Sequence, residues 1–114
     1  MKPIHTQIAN HYTWGDGCDD WPLVDTDSLS VKQERMPAGT TENLHFHSKA
    51  QQFFYILNGT ASFMIDGEKY MVASRQGIQV NPLSKHKISN ETDQDLEFLV
   101  ISTPSTKDDR TDLE

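Results

Sequence analysis

Two short turn sequences in the middle of the chain limit its possible folds more than any other feature. Asn58-Gly59 and Asp66-Gly67 each separate runs rich in aromatic and β-branched residues. Such pairs between alternating apolar segments are the strongest local signal for a β-hairpin. They therefore predict three consecutive antiparallel strands joined by two-residue turns. These strands are predicted at residues 51–57, 60–65 and 68–72.

Further strands are predicted on both sides of this unit. The segment 96–102 alternates cleanly, with Leu96, Phe98 and Val100 on one face. No long stretch of the chain has a helical period, and many short strands with regular turns are typical of an antiparallel barrel or sandwich. The predicted fold class is therefore all-β. The remaining strands are predicted at 29–36, 44–48, 77–80 and 86–90.

The two ends of the chain differ from this middle. Residues 1–24 contain Trp14 and Trp21 without a clear period, which predicts an irregular arm or an edge strand. Residues 25–103 form the predicted barrel. Residues 104–114 have almost nothing apolar to bury, which predicts a flexible tail. A length of 114 residues suits one compact domain.

Composition excludes several classes of protein. A formal net charge of −7 argues against a nucleic-acid-binding surface, which needs clustered Lys and Arg. The single cysteine, Cys18, excludes an internal disulfide and fits a reducing compartment. No segment approaches the ~20 apolar residues of a membrane span, and the start of the chain lacks the apolar run of a signal peptide. The expected location is the cytoplasm.

Three histidines are the most informative side chains. His45 and His47 lie two residues apart on a predicted strand, so both point to the same face, about 7 Å apart. Metal–nitrogen bonds are ~2.0–2.1 Å long, so two imidazoles at this reach can share a transition metal. Alone, such a pair more often consists of ordinary polar side chains on the surface or in a structural role. His86, far downstream, favours a metal site if the fold brings it to the pair.

The spacing of these histidines resembles that of a known family. Gly39, His45-x-His47, Gln52 and Gly59 together resemble the first motif of the cupin superfamily. Pro82-x-x-x-His86-x-x-x-Asn90 resembles the second motif. The resemblance implies a small single-domain, RmlC-like cupin, whose fold is an antiparallel double-stranded β-helix, the cupin jelly-roll barrel. Together with the exposed strands that an open barrel would leave, it also implies a homodimer.

The resemblance further implies one divalent transition metal per chain. Its ligands would be His45, His47 and His86, with Gln52 where cupins usually have glutamate. An amide is neutral, so the charge of the metal stays uncompensated and should polarise a substrate oxygen more strongly. The metal should also bind more weakly. Mixed nitrogen and oxygen ligands suit Zn, Ni, Fe, Co or Mn. Gln52 could instead orient a ligand from outside the metal shell.

Three functions fit this pattern. The first is a Lewis-acid enzyme of the isomerase or lyase type, acting on a small carbonyl or sugar-acid-like substrate. Here the resemblance extends to small cupins that act on sugar acids from pectin and alginate and also carry glutamine at this position. The second is a three-histidine iron dioxygenase. The third is a non-enzymatic module that binds a small molecule. The expected partner in each case is a small-molecule ligand or substrate.

Other candidate residues are less specific. Arg35, Arg75 and Lys87 could bind an anionic substrate at the barrel mouth, although exposed cations need no special explanation. The sequence identifies no general acid or base. Glu34 and Arg35 are candidates, but Leu29 and Met36 have opposite parity on that strand, so the pattern does not decide which residue faces inward.

Overall fold

The computed structural model describes residues 2–114, and these residues form eleven strands and no helix. Every strand pair among them is antiparallel, so the predicted all-β class is confirmed. The strands are β1 (Tyr12–Trp14), β2 (Cys18–Asp25), β3 (Ser30–Met36), β4 (His45–Phe46), β5 (Gln51–Asn58), β6 (Thr60–Ile65), β7 (Glu68–Ala73), β8 (Gly77–Val80), β9 (His86–Ser89), β10 (Leu96–Thr103) and β11 (Thr111–Asp112).

The strands form two sheets that enclose the core. The six-stranded sheet has the order β1-β2-β3-β10-β5-β8, and the five-stranded sheet has the order β11-β4-β9-β6-β7. Alternate side chains of each sheet point inward, as in β10, where Leu96, Phe98 and Val100 are buried as predicted. Full burial of side chains of this size contributes roughly 1.5–3 kcal/mol each. The buried apolar side chains are those of Cys18, Met36, Ala50, Phe54, Ile56, Ala61, Phe63, Val72, Val80, Ile88, Leu96, Phe98 and Val100.

The two predicted turns have different roles. Asp66-Gly67 joins β6 to β7 as a hairpin, with Ile65 opposite Glu68, which confirms that prediction. The hairpin predicted at Asn58-Gly59 is wrong, because β5 and β6 belong to different sheets. There the chain turns a corner from one sheet to the other, so both strands contribute inward-facing residues to one core. A local turn signal reports a change of direction and does not reveal which strands then pair.

The segments at the two ends pair with the barrel. β1 and β2 extend the six-stranded sheet beyond β3, which makes β1 one of its two edge strands. The predicted flexible tail instead contains β11, which pairs with β4 and places Thr111 opposite Phe46. This part of the chain is held by backbone and carboxylate hydrogen bonds and not by apolar burial, so its polar composition did not reveal it. The homodimer predicted from the sequence stays a prediction.

Within residues 2–114, no helix is long and apolar enough to cross a membrane.

The corner at Gly59 gives a test of the fold. Gly59 has φ +89°, and a Cβ there would lie 2.7 Å from the Asp95 carbonyl oxygen, whereas Gly67 has φ +84° and open space around it. We expect Gly67→Ala to lose about 1–2 kcal/mol from left-handed strain alone. Gly59→Ala should lose a further ~1–3 kcal/mol from overpacking. Denaturant unfolding measures both values, and equal losses in the two variants would contradict the close packing at this corner.

Candidate metal centre and cavity

The fold brings the three predicted histidines together. His45 on β4 is the direct cross-strand partner of His86 on β9, and His47 follows His45 by two residues. All three side chains are buried. Their potential ligand atoms lie within 4.8 Å of one another. The ring centroid of His45 lies 5.0 Å from that of His47 and 4.3 Å from that of His86. The sequence pattern therefore identified a real cluster.

Each imidazole is oriented by a backbone carbonyl oxygen. His45 Nδ1 lies 2.8 Å from the carbonyl oxygen of Asn43, and His86 Nδ1 lies 2.8 Å from that of Ser84. His47 Nδ1 lies 2.6 Å from the carbonyl oxygen of Asp109. A carbonyl oxygen can only accept, so each Nδ1 carries the proton and donates it. Every Nε2 is then left with a lone pair, the form in which histidine binds a metal.

The three imidazoles are also uncharged at neutral pH. Burial lowers the pKa of His45 to about 3, although its hydrogen bond to Asn43 opposes this shift. Burial likewise lowers the pKa of His47 and of His86. Protonated imidazoles cannot coordinate a metal, so a cluster that stays neutral has the charge state that a metal site requires.

The amide of Gln52 points its oxygen at this cluster. The side chain is buried on β5, and its Nε2 donates to Ser102 Oγ at 3.0 Å. Its Oε1 lies 3.1 Å from Nε2 of His86. Because His86 carries its proton on Nδ1, two acceptors face each other, which is favourable only when a proton or a cation lies between them. The donor set of three nitrogens and one oxygen therefore fits a divalent transition metal.

A cavity of about 490 Å³ opens beside the histidines. Its apolar wall is built from Phe54, Ile88, Phe98 and Val100. His45, His47 and Gln52 lie on its histidine-cluster side, and charged and polar residues form much of the remaining wall. The charged residues that line the cavity are Asp20, Lys32, Glu34, Glu42, Arg110 and Asp112.

Two of these carboxyls hold protons more tightly than usual. Burial raises the pKa of Glu34 to about 8, and the neighbouring carboxylates of Asp20 and Glu42 add to the shift. Burial raises the pKa of Glu42 to about 7, against the hydrogen bond from the Ile88 N–H and the charge of Arg110. Both groups can therefore give or take a proton near neutral pH. Glu34 lines the cavity and Arg35 does not, so Glu34 is the inward-facing residue of this pair on β3.

The cations predicted to bind substrate lie elsewhere. Arg35 faces away from the cavity, where its Nε donates to Asp19 at 2.6 Å, and Arg75 is in an exposed turn with φ +66°. Lys87 pairs with Glu114 at 3.5 Å. Among the described residues, the basic side chains that line the cavity are Lys32 and Arg110.

Sequence reasoning therefore missed two groups in the 104–114 segment. Arg110 lines the cavity, and the carbonyl oxygen of Asp109 orients His47. No local pattern marks either residue. Their contacts depend on how β11 pairs with β4, which joins residues more than sixty positions apart in the chain.

Comparisons with known proteins agree on the family and the fold. A family model for the cupin domain matches residues 32–102. An uncharacterized protein of Methanocaldococcus jannaschii is 30% identical over 84 residues, which cover 74% of this chain and 67% of that protein.

Two solved structures share the architecture. KdgF from Halomonas sp. has a TM-score of 0.85 at 15% identity, over 95% of this chain and 97% of that chain. A sugar phosphate isomerase from a cupin superfamily, from Silicibacter pomeroyi, has a TM-score of 0.80 at 17% identity, over 91% of this chain and 76% of that chain. At such identities the likeness shows the fold alone, and it confirms the predicted jelly-roll barrel.

Replacing Gln52 tests its place in the metal centre. We expect Gln52→Glu to bind Zn²⁺ at least about tenfold more tightly, or ~1.4 kcal/mol, because a carboxylate adds a negative charge beside the ion. Gln51→Glu is the matched control, since Gln51 is the exposed neighbour on the same strand. Competition with a chromogenic chelator measures both affinities. An equal change in the two variants would show that Gln52 is not a ligand.

The carboxyl of Glu34 predicts a dependence of stability on pH. Its folded pKa of about 8 lies above the ordinary 4.5, so between these values the folded state keeps a proton that the unfolded state releases. The contribution of Glu34 to the free energy of unfolding should therefore fall as pH rises through this window. Glu34→Gln cannot ionise, so it does not lose this contribution. The free energy of unfolding of the variant minus that of the parent chain should therefore be larger at pH 9 than at pH 5.

Denaturant unfolding of the metal-free proteins at the two pH values measures this difference. Asp93→Asn is the control, because Asp93 is an exposed carboxylate in a turn. If Glu34→Gln and Asp93→Asn respond to pH alike, the carboxyl of Glu34 is not held in its protonated form by the cavity.

Proposed function

The chain belongs to the cupin domain family, and we propose that it is a metal-dependent enzyme of the isomerase or lyase type. Its substrate would be a small carbonyl or sugar-acid-like molecule. The observation that carries the proposal is the orientation of the three imidazoles. Each donates Nδ1–H to a carbonyl oxygen and keeps an Nε2 lone pair in the shared, buried cluster.

The ligands of the metal would be His45, His47 and His86, with Gln52 Oε1 as a neutral fourth group. One divalent transition metal per chain, of the series Zn, Ni, Fe, Co or Mn, suits this donor set. When bound, such an ion supplies Lewis-acid polarisation of a substrate oxygen. The four side chains provide no negative charge, so they leave that polarising power undiminished.

The remaining walls suit a polar molecule of monosaccharide size. A volume of about 490 Å³ lies within the range of small-molecule sites. The side chains of Phe54, Phe98 and Val100 can pack against a carbon skeleton and exclude water. The sugar phosphate isomerase from Silicibacter pomeroyi, which shares the fold, supports the choice of a carbonyl or sugar substrate.

Glu34 lies on a part of the cavity wall that is distant from Gln52 along the sheet. Glu34 is opposite Phe98 on β10, and Gln52 is opposite Ser102 on the same strand. Four residues separate these positions, which is ~13 Å along a strand. A substrate with one oxygen at the histidines would thus extend in the direction of Glu34, whose carboxyl can hold or deliver a proton on that side of the cavity.

The metal content of the protein tests the proposal. Protein purified without added metal or chelator should hold close to one transition-metal ion per chain, and the His45→Ala/His86→Ala double variant should hold none. His5→Ala/His11→Ala is the matched control, since it removes two histidines outside the cluster and should keep the ion. Elemental analysis measures all three. A parent chain that also fails to load Zn, Ni, Fe or Mn would contradict the proposal.

The loaded protein then separates the enzyme classes. Turnover of aldoses, ketoses or their acids, lost in the double variant, is the expected result. Oxygen uptake by the ferrous form with a catechol or a diketone would instead indicate the three-histidine dioxygenase. Tight ligand binding without any turnover would indicate a binding module.

A further inference from the structure

The segment 109–114, which we call the clasp, contacts the histidine cluster directly. We propose that docking of the clasp on the barrel and binding of the metal stabilise each other, so that the metal closes one wall of the cavity. The inference rests on the proposed metal site and adds a regulated element to it. It follows from a difference between His47 and the other two histidines.

His47 is the one member of the cluster oriented by a distant residue. His45 and His86 donate to carbonyl oxygens two residues earlier in the chain, at Asn43 and Ser84, within their own local structure. His47 donates to the carbonyl oxygen of Asp109, which is 62 residues away. Loss of the clasp would therefore leave the first two imidazoles oriented and release the third.

The side chain of Asp109 anchors this contact. Its carboxylate accepts hydrogen bonds from the backbone N–H groups of Ser48, Lys49 and Ala50, at 2.8, 3.1 and 3.0 Å. These three residues directly follow His47. One aspartate thus holds the turn after His47 through its carboxylate and the imidazole of His47 through its carbonyl oxygen. Hydrogen bonds to an ionised acceptor are about twice as strong as neutral ones.

The rest of the clasp pairs with the strand that carries His45. Asp112 is the partner of His45 in the β4–β11 ladder, and Leu44 N–H donates to Glu114 Oε1 at 2.6 Å. Arg110 and Asp112 line the cavity, so the docked clasp forms part of its wall. Its one large apolar side chain, Leu113, is 44% exposed. Hydrogen bonds with little apolar burial are typical of segments that open locally at low free-energy cost.

These contacts couple the clasp to the metal. A metal that needs the Nε2 lone pair of His47 favours the orientation that the Asp109 carbonyl provides, so it favours the docked clasp. By thermodynamic reciprocity, a docked clasp must raise the affinity for the metal by the same factor. Release of the metal would then loosen the wall formed by Arg110 and Asp112 and open the cavity.

Hydrogen–deuterium exchange with Zn²⁺ as the probe tests one direction of this coupling. Zn²⁺ should slow amide exchange in residues 109–114 of the parent chain at least about tenfold. The edge strand β7, which pairs with no strand that carries a histidine of the cluster, is the internal control that should not change. The Leu113 N–H, which donates to the Leu44 carbonyl oxygen at 2.8 Å, is the reporting amide. Equal exchange of the clasp with and without bound Zn²⁺ would overturn the inference.

Substitution of Asp109 tests the other direction. Asp109→Ala removes the carboxylate that anchors the carbonyl oxygen facing His47. It should therefore weaken Zn²⁺ binding by about 10- to 100-fold, the usual cost of losing the support of a metal ligand. Asp108→Asn is the matched control, since Asp108 is the exposed neighbour and asparagine accepts its φ of +56°. Asp109→Asn keeps one acceptor oxygen and should lie between the two, which preserves the test if the alanine variant fails to fold.

The outcomes separate this inference from the proposed function. If the parent chain binds Zn²⁺ and both Asp109 variants bind it as tightly as Asp108→Asn does, the clasp inference fails and the metal site stands. If the parent chain binds no metal, both fail together.

Discussion

The hydrogen bonds from three imidazole Nδ1 atoms to backbone carbonyl oxygens are the interaction on which the site depends. They fix the tautomer of each histidine, and burial keeps each ring uncharged. Burying three polar rings among aromatic side chains is costly unless their polar atoms have partners. The carbonyl oxygens satisfy one nitrogen of each ring, and the other nitrogens remain with unshared lone pairs. Such an arrangement contributes little to folding, but it suits the binding of a cation.

The charged groups around the cavity are likewise either paired or neutralised because burial of an unpaired charge is costly. The three histidines and Gln52 are neutral, whereas Asp20, Glu34, Glu42 and Asp112 place carboxyl groups in the cavity wall. Lys32 lies 3.3 Å from Asp20, and Arg110 lies 2.8 Å from Asp112, so both basic side chains are already paired. Burial raises the pKa of Glu34 and of Glu42, so protonation of these carboxyls avoids the cost of burying a charge. The result is a cavity with the neutral histidine cluster on one side and the proton-bearing carboxyl of Glu34 towards the other.

The parts of this arrangement that depend on local pattern were predictable. Alternation placed Leu96, Phe98 and Val100 on one buried face, and His45 and His47 share a face for the same reason. Asp66-Gly67 formed the expected hairpin. Asn58-Gly59 did not, although its local signal is as strong, because the pairing of β5 with β10 and β8 is decided by contacts distant in sequence. Contacts distant in sequence also decide the direction of Arg35. Its side chain points away from the cavity, and the ambiguous alternation of its strand did not predict this.

The sequence by itself determined the strand periodicity, the family and the identity of the three clustered histidines, because each depends on residue types at short, regular spacings. Only the tertiary structure decided that Gln52 turns its oxygen towards His86, that Glu34 faces the cavity and that Asp109 holds His47. Each of these facts depends on which strands become neighbours. Strand pairing is a cooperative property of the whole barrel, so a polar segment such as 109–114 shows its role only when the strand it pairs with is in place.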